Sequence, residues 1–378
     1  MISTVILIII LIYLALIGML SNGFDKITAF NLSDKVPKTA FSIIIPFRNE
    51  QNHLDTLLKS LMNLNYPKSL FEVILVDDDS EDKSLEVIQK VLKSNATSNF
   101  QIRITKNVRV SKSPKKDAIT TAISQAKYDW IITTDADCIV PKYWLDTYDE
   151  YIQSHEVHCV IGPVSIKNIS SFFQRFQGLD FLSLQGVTIG GFGIKRPFLS
   201  NGANMAYLKH EFESLNGYNG NNHIASGDDV FLLEKFLGHN KKSVGYLKND
   251  KCIVGTGPEE SLKHLIQQRL RWASKTSKTS NNFTKLVGLI VFLANLSCVL
   301  LIPLAVLSTV NPRTGVLLFI LKFSIDFLLL FKASRFFKQE ELLVSYPIAS
   351  LIYPFFSVYI VFLSLFAAFN WKGRSYKY

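Results

Sequence analysis

Phe71-Glu-Val-Ile-Leu-Val-Asp-Asp-Asp-Ser80 is a short apolar run that ends in three carboxylates. Its length and its β-branched residues predict a buried strand, and the acidic turn marks the point where the strand stops. An EF-hand loop starting at Asp77 is excluded, because its sixth position is Asp82 rather than Gly and its twelfth is Ile88 rather than Glu. Two interpretations of Asp77, Asp78 and Asp79 stay open: they cap the next helix, or they accept hydrogen bonds from a base or a ribose.

Apolar strands alternate with amphipathic helices on both sides of this run. The other predicted strands are Phe41–Pro46, Ile102–Thr105 and Trp130–Thr134. Apolar residues at helical spacing predict three helices between these strands. In the first, the inward positions are Leu54, Leu57, Leu58, Leu61 and Leu64, and in the second they are Leu85, Ile88, Val91 and Leu92. The third helix covers residues 117–126. Strands without polar alternation, separated by helices, predict an α/β fold with a parallel sheet covered on both faces. Ligands bind such sheets beyond the carboxyl ends of the strands, where the acidic clusters lie.

A second acidic pair, Asp135 and Asp137, follows the predicted strand Trp130–Thr134. Alternate residues of a strand face the same side, so both carboxylates are expected to point into one site. Two hard oxygen ligands beside a diphosphate suit Mg²⁺ or Mn²⁺. A solvated turn is the alternative interpretation.

Three further polar segments carry candidate chemistry. Ser113-Pro-Lys-Lys116 precedes a predicted helix and either brings an ammonium to a phosphate or is a solvated lysine pair. In Gly227-Asp-Asp229 one carboxylate is a candidate general base, and a helix cap is the alternative. Gln268 and Arg271 share a helical face, Arg271 can chelate phosphate, and Trp272 can stack on a sugar. A basic and aromatic belt beside a membrane is the other interpretation of that segment.

The first residues of the chain predict a membrane anchor. Residues 2–21 form an almost uncharged run, and about 20 residues of helix cross a hydrocarbon core of about 30 Å. A signal peptide is disfavoured because the run lacks a basic start, a shorter apolar core and a small-residue cleavage site. We therefore expect a transmembrane anchor over residues 1–22.

The end of the chain predicts a transmembrane region over residues 285–369, with about three apolar helices. The apolar tracts cover about residues 285–308, 315–332 and 343–369. Lys322 and Asp326 lie four residues apart in the second tract and are expected to pair on one helical face. Residues 172–193 are too polar for a span and predict either a helix in the membrane interface or a core helix.

The charges beside these tracts predict the orientation. Lys26, Lys35 and Lys38 follow the first tract and no Lys or Arg precedes it, which places the polar region in the cytosol. Three later spans would put the tail outside, whereas Lys372, Arg374 and Lys377 favour the inside. Either the tail is an exception to the rule that Lys and Arg flank the cytosolic ends of membrane spans, or one tract is re-entrant.

Composition excludes some partners. The net charge is +10, but the basic residues are scattered and no recognisable nucleic-acid module is present, so anionic lipid or phosphate is a better partner than nucleic acid. The four cysteines show no Cys-x-x-Cys pairing and no zinc spacing, which predicts reduced, mostly buried thiols and is consistent with a domain on the cytosolic face.

Taken in order, six segments resemble the motifs of family 2 glycosyltransferases. They are Ile45-Pro-Phe-Arg-Asn-Glu50, Val76-Asp-Asp-Asp-Ser80, Asp135-Ala-Asp137, Asn201-Gly-Ala-Asn204, Gly227-Asp-Asp229 and Gln268-Arg-Leu-Arg-Trp272. The flanking apolar tracts are similar to those of membrane-bound members such as ceramide glucosyltransferases. The resemblance implies a GT-A domain, which we place at residues 40–280, and an inverting transfer from a nucleotide-sugar that is favoured to be UDP-linked.

The resemblance also implies roles for individual positions. The positions that hold the nucleotide in the family are matched by Pro46, Glu50, Asp77 and Asp78. Lys115 resembles the lysine that lies near the phosphates in the family. Asp135 and Asp137 match the metal-diphosphate motif for Mg²⁺ or Mn²⁺, with Asp137 the direct ligand. Asp229 matches the base, preceded by Asp228 where the family often has Glu. Those that match the acceptor- and diphosphate-binding end are Gln268, Arg271 and Trp272.

Three functions are consistent with these motifs. The favoured one is transfer of a single sugar to a lipid, glycolipid or glycan acceptor at the cytosolic membrane face. A processive polysaccharide synthase resembles the chain in its Gln-x-x-Arg-Trp motif, although three closing tracts are few for an enclosed polymer channel. A transporter or membrane scaffold that merely binds nucleotide is the third, suggested by Lys322 and Asp326. The motifs do not specify the sugar, the base or the acceptor, because specificity lies in pocket shape.

Overall fold

The computed structural model describes residues 2–94 and 101–376, so Lys377 of the basic tail lies outside it. The α-helices are α1 (Ile2–Lys26), α2 (Leu54–Met62), α3 (Ser84–Ser94), α4 (Pro114–Gln125), α5 (Trp144–Ser154), α6 (Phe172–Gly193), α7 (Lys209–Ser214), α8 (Asp228–His239), α9 (Leu262–Lys278), α10 (Asn282–Val306), α11 (Pro312–Phe337) and α12 (Tyr346–Ser364). Short 3₁₀ helices cover Lys68–Leu70, Gly202–Asn204, Lys241–Ser243, Asp250–Cys252 and Glu340–Ser345.

The strands belong to three sheets. They are β1 (Phe41–Phe47), β2 (Phe71–Asp77), β3 (Ile102–Lys106), β4 (Trp130–Thr133), β5 (Cys138–Ile139), β6 (Cys159–Ile161), β7 (Val164–Ile166), β8 (Met205–Leu208), β9 (Val244–Tyr246), β10 (Val254–Thr256), β11 (Phe369–Trp371) and β12 (Arg374–Tyr376). The main sheet has the order β3-β2-β1-β4-β8-β6-β9, a smaller sheet has the order β5-β10-β7, and β11 pairs with β12.

The main sheet is mixed rather than wholly parallel. β3, β2, β1 and β4 run parallel as predicted, with Ile44 opposite Ile74 on one side and Thr133 on the other. β8 is antiparallel to both β4 and β6, so the sheet becomes mixed beyond β4, outside the segment for which parallel strands are predicted. The reason is local: residues 141–255 lack the regular exchange of strand and helix that builds parallel crossovers.

The predicted α/β elements are otherwise present at nearly the predicted places. α4 starts at Pro114, three residues before the predicted helix, because proline is well suited to the first helical position. In α3, Ile88 and Val91 are buried as predicted, but Leu85 is exposed. Ser84 takes the inward position instead, where its hydroxyl accepts a hydrogen bond from the Glu50 N–H at 2.8 Å.

The described chain divides into two compact units. We call one the sheet unit; it comprises Thr28–Lys167 and Ser200–Gly257 and contains the main and the smaller sheet. We call the other the helical unit; it comprises Met1–Ile27, Asn168–Leu199 and Pro258–Tyr378.

The helical unit is built from long apolar helices. Four helices of the described chain are long and apolar enough to cross a membrane: Ile2–Lys26, Asn282–Val306, Pro312–Phe337 and Glu340–Ser364. Within α11 the predicted pair is confirmed, with Lys322 Nζ 2.7 Å from Asp326 Oδ2, and the Tyr13 hydroxyl of α1 donates to Asp326 Oδ1 at 2.5 Å. These contacts neutralise the two charges inside an apolar environment.

Helices α1 and α6 approach each other through glycines. A Cβ at Gly190 would lie 2.3 Å from the Leu20 carbonyl oxygen, and a Cβ at Gly23 would lie 2.3 Å from the Gly190 oxygen. Small residues are what allow helix backbones to come this close. α6 is buried along most of its length, which favours the core-helix interpretation of residues 172–193.

Candidate active site

The carboxyl ends of β1 and β2 are linked by polar groups. Pro46 is half-buried opposite Val76, and Glu50 is buried just beyond β1. Arg48 donates from Nη1 to the Asp78 carbonyl oxygen at 2.8 Å and pairs through Nη2 with Glu81 at 2.9 Å. The loop after β1 is therefore held against the loop after β2, and both predicted donor segments lie at the ligand-binding edge of the sheet.

The three aspartates after β2 have different environments. Asp77 Oδ1 accepts the Ser80 N–H at 3.0 Å, a bond within the turn after β2. It does not cap the next helix, because α3 begins at Ser84, whose N–H is accepted by Asp82 Oδ1 at 2.9 Å. Asp78 is buried, and its Oδ1 accepts from Asn107 Nδ2 at 2.7 Å and from Arg109 Nε at 2.6 Å. Arg109 also lies 2.8 Å from Asp79, and its charge holds the pKa of that carboxyl below its ordinary value.

Lys115 joins two of the predicted acidic motifs. Its Nζ lies 2.7 Å from Asp135 Oδ1, after β4, and 3.0 Å from Asp228 Oδ2, at the start of α8. Burial lowers the pKa of Lys115, but the two carboxylates outweigh this effect, so the pKa lies above its ordinary value. Two carboxylates from distant parts of the chain thus meet around one ammonium.

Asp135 and Asp137 lie in a turn after β4 rather than in the strand. β4 ends at Thr133, so the strand alternation used to predict a shared direction does not apply to them. Asp135 is partly exposed and bound to Lys115, whereas Asp137 is exposed to solvent. Among the described residues no cluster of three or more His, Cys, Asp or Glu is placed to hold a cation.

The turn between Asn201 and Asn204 brings backbone close to Asp228. A Cβ at Gly202 would lie 2.7 Å from Asp228 Oδ2, so glycine is what permits this approach. Thr133 Oγ1 donates to the Gly202 carbonyl oxygen at 2.7 Å and ties the turn to β4.

Asn204 has a structural environment. Its Oδ1 accepts from Trp144 Nε1 at 2.8 Å, and its Nδ2 donates to the carbonyl oxygens of Pro163 at 2.8 Å and Cys252 at 2.9 Å. It holds the main and the smaller sheet together from a fully buried position.

Asp229 occupies the first turn of α8 beside Asp228. It is buried, and its Oδ1 accepts the Val230 N–H at 2.8 Å. Acidic side chains are common in the first turn of a helix, because the helix N-terminus carries partial positive charge.

The predicted Gln268, Arg271 and Trp272 lie on α9 of the helical unit. Gln268 Nε2 donates to Glu259 Oε1 at 2.6 Å, and the Arg271 guanidinium lies 5.1 Å from the centre of the Trp371 ring. Trp272 is covered by the Arg269 guanidinium, 4.2 Å from its ring centre.

Several contributing residues were not predicted from the sequence. Arg269 forms a buried ion pair with Asp180 of α6 at 2.7 Å, although the sequence shows it merely as one of several charges near the membrane. A usable signal existed, because Asp180 is the one acidic residue in the apolar segment 172–193 and such a charge needs a partner. Arg48, Asn107 and Arg109 carried no such signal.

Comparison with known proteins identifies the family and the fold. Residues 42–211 match Glycosyl transferase family 2, and residues 130–370 match Glycosyl transferase family group 2. The mannosyltransferase PcManGT from Pyrobaculum calidifontis, solved in complex with GDP-Man and Mn²⁺, aligns with a TM-score of 0.57 at 13% identity, over 93% of this chain and 99% of that one. This likeness supports a GT-A fold, with apolar C-terminal helices that are long enough to span a membrane.

Curated relatives match shorter segments. The poly-beta-1,6-N-acetyl-D-glucosamine synthase of Staphylococcus epidermidis is 23% identical over 180 residues, which is 45% of this chain and 41% of that protein. The poly(ribitol-phosphate) beta-N-acetylglucosaminyltransferase TarS of Staphylococcus aureus is 29% identical over 130 residues, which is 34% of this chain and 21% of that protein. The chain thus spans less than half the length of these relatives. Since the family group 2 match covers well over half of the residues, the chain belongs to the family 2 glycosyltransferases.

Proposed function

We propose that the protein is a membrane-bound enzyme that moves a sugar from a nucleotide-sugar to a lipid or glycolipid acceptor, with inversion at the anomeric carbon. The observation that carries the proposal is the position of Lys115 between Asp135 and Asp228. A lysine so placed offers positive charge to a diphosphate, and the acidic groups around it suit a metal and a general base.

The donor's nucleotide is assigned to the edge formed by β1 and β2. Asp77 and Asp78 present carboxylates there, with Pro46 and Glu50 on the adjoining loop. The hydrogen bonds from Asn107 and Arg109 hold the Asp78 carboxylate in one orientation. A fixed orientation is required for a carboxylate that selects a base or a ribose by hydrogen bonding. The relatives' names support N-acetylglucosamine as the first sugar to test.

A divalent cation fits the turn after β4. Asp137 offers an exposed carboxylate and Asp135 a second, partly exposed one, and both are the hard oxygen ligands that Mg²⁺ and Mn²⁺ prefer. Asp135 and Asp137 would be the residues that hold the cation. Bound there, the cation supplies positive charge to the diphosphate leaving group.

Asp229 is assigned as the general base. Its carboxylate takes the proton of an acceptor hydroxyl as the hydroxyl oxygen forms a bond to the anomeric carbon, and the bond from that carbon to the diphosphate breaks with its electron pair leaving on the diphosphate oxygen. The ammonium of Lys115 stabilises the charge that develops there. Attack opposite the leaving group inverts the configuration, and no covalent sugar–enzyme intermediate forms. Asp228 positions Lys115 through their ion pair.

The membrane supplies the acceptor in this proposal. The helical unit carries four helices suited to a membrane, and Gln268, Arg271 and Trp272 lie in that unit, where we assign them to the acceptor and the diphosphate. The lysines after α1 favour a catalytic domain in the cytosol. The expected division into an anchor at 1–22, a catalytic domain at 40–280 and a membrane region at 285–369 is part of this proposal.

A direct assay tests the proposed function. The purified full-length chain in lipid nanodiscs is incubated with radiolabelled UDP-N-acetylglucosamine, then with other labelled nucleotide-sugars, in the presence of Mg²⁺ or Mn²⁺ and a bacterial lipid extract. We expect label in the organic phase and free nucleotide in equal amounts. Failure of every donor to give either product would refute the proposal.

A processive polysaccharide synthase is the second candidate, favoured by the match to the poly-beta-1,6-N-acetyl-D-glucosamine synthase. The same reaction separates the two, because the products can be sized by mass spectrometry. Products that carry one added sugar support single transfer, whereas a ladder of chain lengths supports the synthase.

A further inference from the structure

The helical unit contains a cavity of about 250 Å³. Five helices line it: α1, α6, α10, α11 and α12. Its wall is predominantly apolar, with Leu184 and Val187 from α6, Val287 and Val291 from α10, and Leu329 from α11. For comparison, an apolar cavity of about 150 Å³ stays dry and binds benzene, so a larger one of this kind suits a hydrocarbon rather than water.

Two polar features of the wall bear on the ligand, and one of them is linked to the motif on α9. Asp180 lines the cavity and is paired with Arg269, which also covers the Trp272 ring. Thr284, in the first turn of α10, lines the cavity as well, and its buried hydroxyl has no hydrogen-bond partner among the described residues. A buried hydroxyl without a partner is costly, so this atom marks a place where a ligand's polar group would be stabilised.

The charged groups on another part of the wall do not oppose an apolar ligand. Lys322 and Asp326 line the cavity, but they bind each other, and Tyr13 donates to the same carboxylate. Because their charges are already compensated, the ligand need not carry a charge to match them. Among the described lining residues, Thr284 therefore offers an unpaired hydroxyl and Asp180 a carboxylate paired with Arg269, in a wall that is otherwise apolar or compensated.

We propose that this cavity binds the hydrocarbon chain of the lipid acceptor, with the first polar atoms of the lipid at Thr284 and Asp180. This proposal rests on the proposed function, and it adds where the acceptor's hydrocarbon chain is held. The lipid's head group then lies beside the helix that carries Gln268, Arg271 and Trp272, since Arg269 on that helix binds Asp180.

The test combines two readouts on variants that fill the cavity. The probe is a dodecyl glucoside with a terminal diazirine, added to the full-length chain in nanodiscs, irradiated and mapped by peptide mass spectrometry. Val291→Trp fills the cavity, and Leu289→Trp, at an exposed position of the same helix, is the matched control. The second readout is transfer of labelled sugar into a bacterial lipid extract.

We expect cross-links on Leu184 and Val187 in the unaltered chain, and we expect Val291→Trp to reduce both cross-linking and transfer by about tenfold, because excluding two methylenes from an apolar site costs about that much binding. Leu289→Trp should change neither. A second pair, Ala349→Phe in the cavity and Ile348→Phe at an exposed position, keeps the test decisive if one variant does not fold.

The outcomes separate this proposal from the proposed function. Cross-linking that is equal in Val291→Trp and Leu289→Trp would overturn the cavity site. Transfer that survives while cross-linking is lost would show that the cavity holds bulk lipid rather than the acceptor, and would overturn it too. By contrast, an unaltered chain that transfers no sugar from any donor refutes the proposed function.

Discussion

At the scale of single residues, the account depends on Lys115 and its two carboxylate partners. Lys115→Met would leave Asp135 and Asp228 facing each other without the ammonium. We expect transfer to fall by at least about a hundredfold, because one electrostatic contact to a developing charge contributes about that much. We also expect a loss of about 1–3 kcal/mol in unfolding free energy, below the value for a fully buried pair since Asp135 is partly exposed. Unchanged transfer with intact donor binding would contradict this role.

The same residue gives a prediction for pH. The pKa of Lys115 is raised above its ordinary value, 10.5, so its contribution to stability is fully present below that value and is lost as the pH rises through the raised pKa. We therefore expect the difference in thermal midpoint between the unaltered chain and Lys115→Met to stay constant between roughly pH 6 and pH 9. If the difference in thermal midpoint halves by pH 9, Lys115 loses its proton at a lower pH than a raised pKa allows, and the prediction is contradicted.

Gly202 offers a steric test of the same cluster. Gly202→Ala places a Cβ 2.7 Å from Asp228 Oδ2, so the carboxylate must move. We expect kcat/KM to fall by about ten- to a hundredfold, since small displacements of positioning groups cost that much. Gly238→Ala is the control. Gly238 lies in α8, the helix that also carries Asp228, and a Cβ at Gly238 would meet nothing within 4 Å among the described residues. Equal activities of the two variants would argue against a fixed position for Asp228.

Sequence reasoning predicted Lys115, Asp135 and Asp228 as separate motifs but not their contact. The contact depends on how β4 and α8 are placed by the mixed sheet, which no local pattern encodes. Arg109 and Asn107 were missed for the same reason: an arginine or an asparagine in a loop has no periodicity that identifies its partner, Asp78.

At the scale of elements, the crossing of α1 and α6 is the most exacting contact. Gly190→Leu would place side-chain atoms against the Leu20 carbonyl, where even a Cβ lies at 2.3 Å. We expect a destabilisation of at least about 1–3 kcal/mol, measured as the thermal midpoint in nanodiscs. Gly18→Ala on α1 is the control, since its Cβ makes an ordinary contact of 3.9 Å with Ile325. A variant at Gly190 as stable as this control would mean that the two helices do not pack this closely.

The elements themselves were predictable where burial is strong and periodic. The strands β1, β2 and β4 and the helices beside them follow from apolar runs and helical spacing, because both faces of the interior of a parallel sheet must be apolar. β3 lies at the edge of the sheet and is largely exposed. The strands β5 to β10 are two to four residues long, too short to show a period, and β8 runs antiparallel. Leu85 shows the limit in a helix, because at the start of α3 the small Ser84 is buried and Leu85 is exposed.

At the scale of the whole molecule, the proposed orientation is testable by labelling. Lys90→Cys adds a thiol at an exposed position of the sheet unit, while the native Cys138, Cys159 and Cys252 are buried and have pKa values raised by burial. We expect a membrane-impermeant maleimide to label this variant in permeabilised cells but not in intact cells. Labelling of intact cells would place the sheet unit on the outer face.

The most direct test of the central claim is Asp229→Asn, compared with Asp55→Asn, an exposed carboxylate of α2 paired with Lys59. The full-length variants are assayed for sugar transfer and, separately, for nucleotide-sugar binding by calorimetry with Mg²⁺ or Mn²⁺. If Asp229 removes the acceptor's proton, its variant should lose transfer by about a hundredfold or more while donor affinity stays within about twofold, and Asp55→Asn should be unaffected. Normal transfer by Asp229→Asn would contradict the account, and donor binding with no transfer even by the unaltered chain would favour a nucleotide-binding transporter or scaffold.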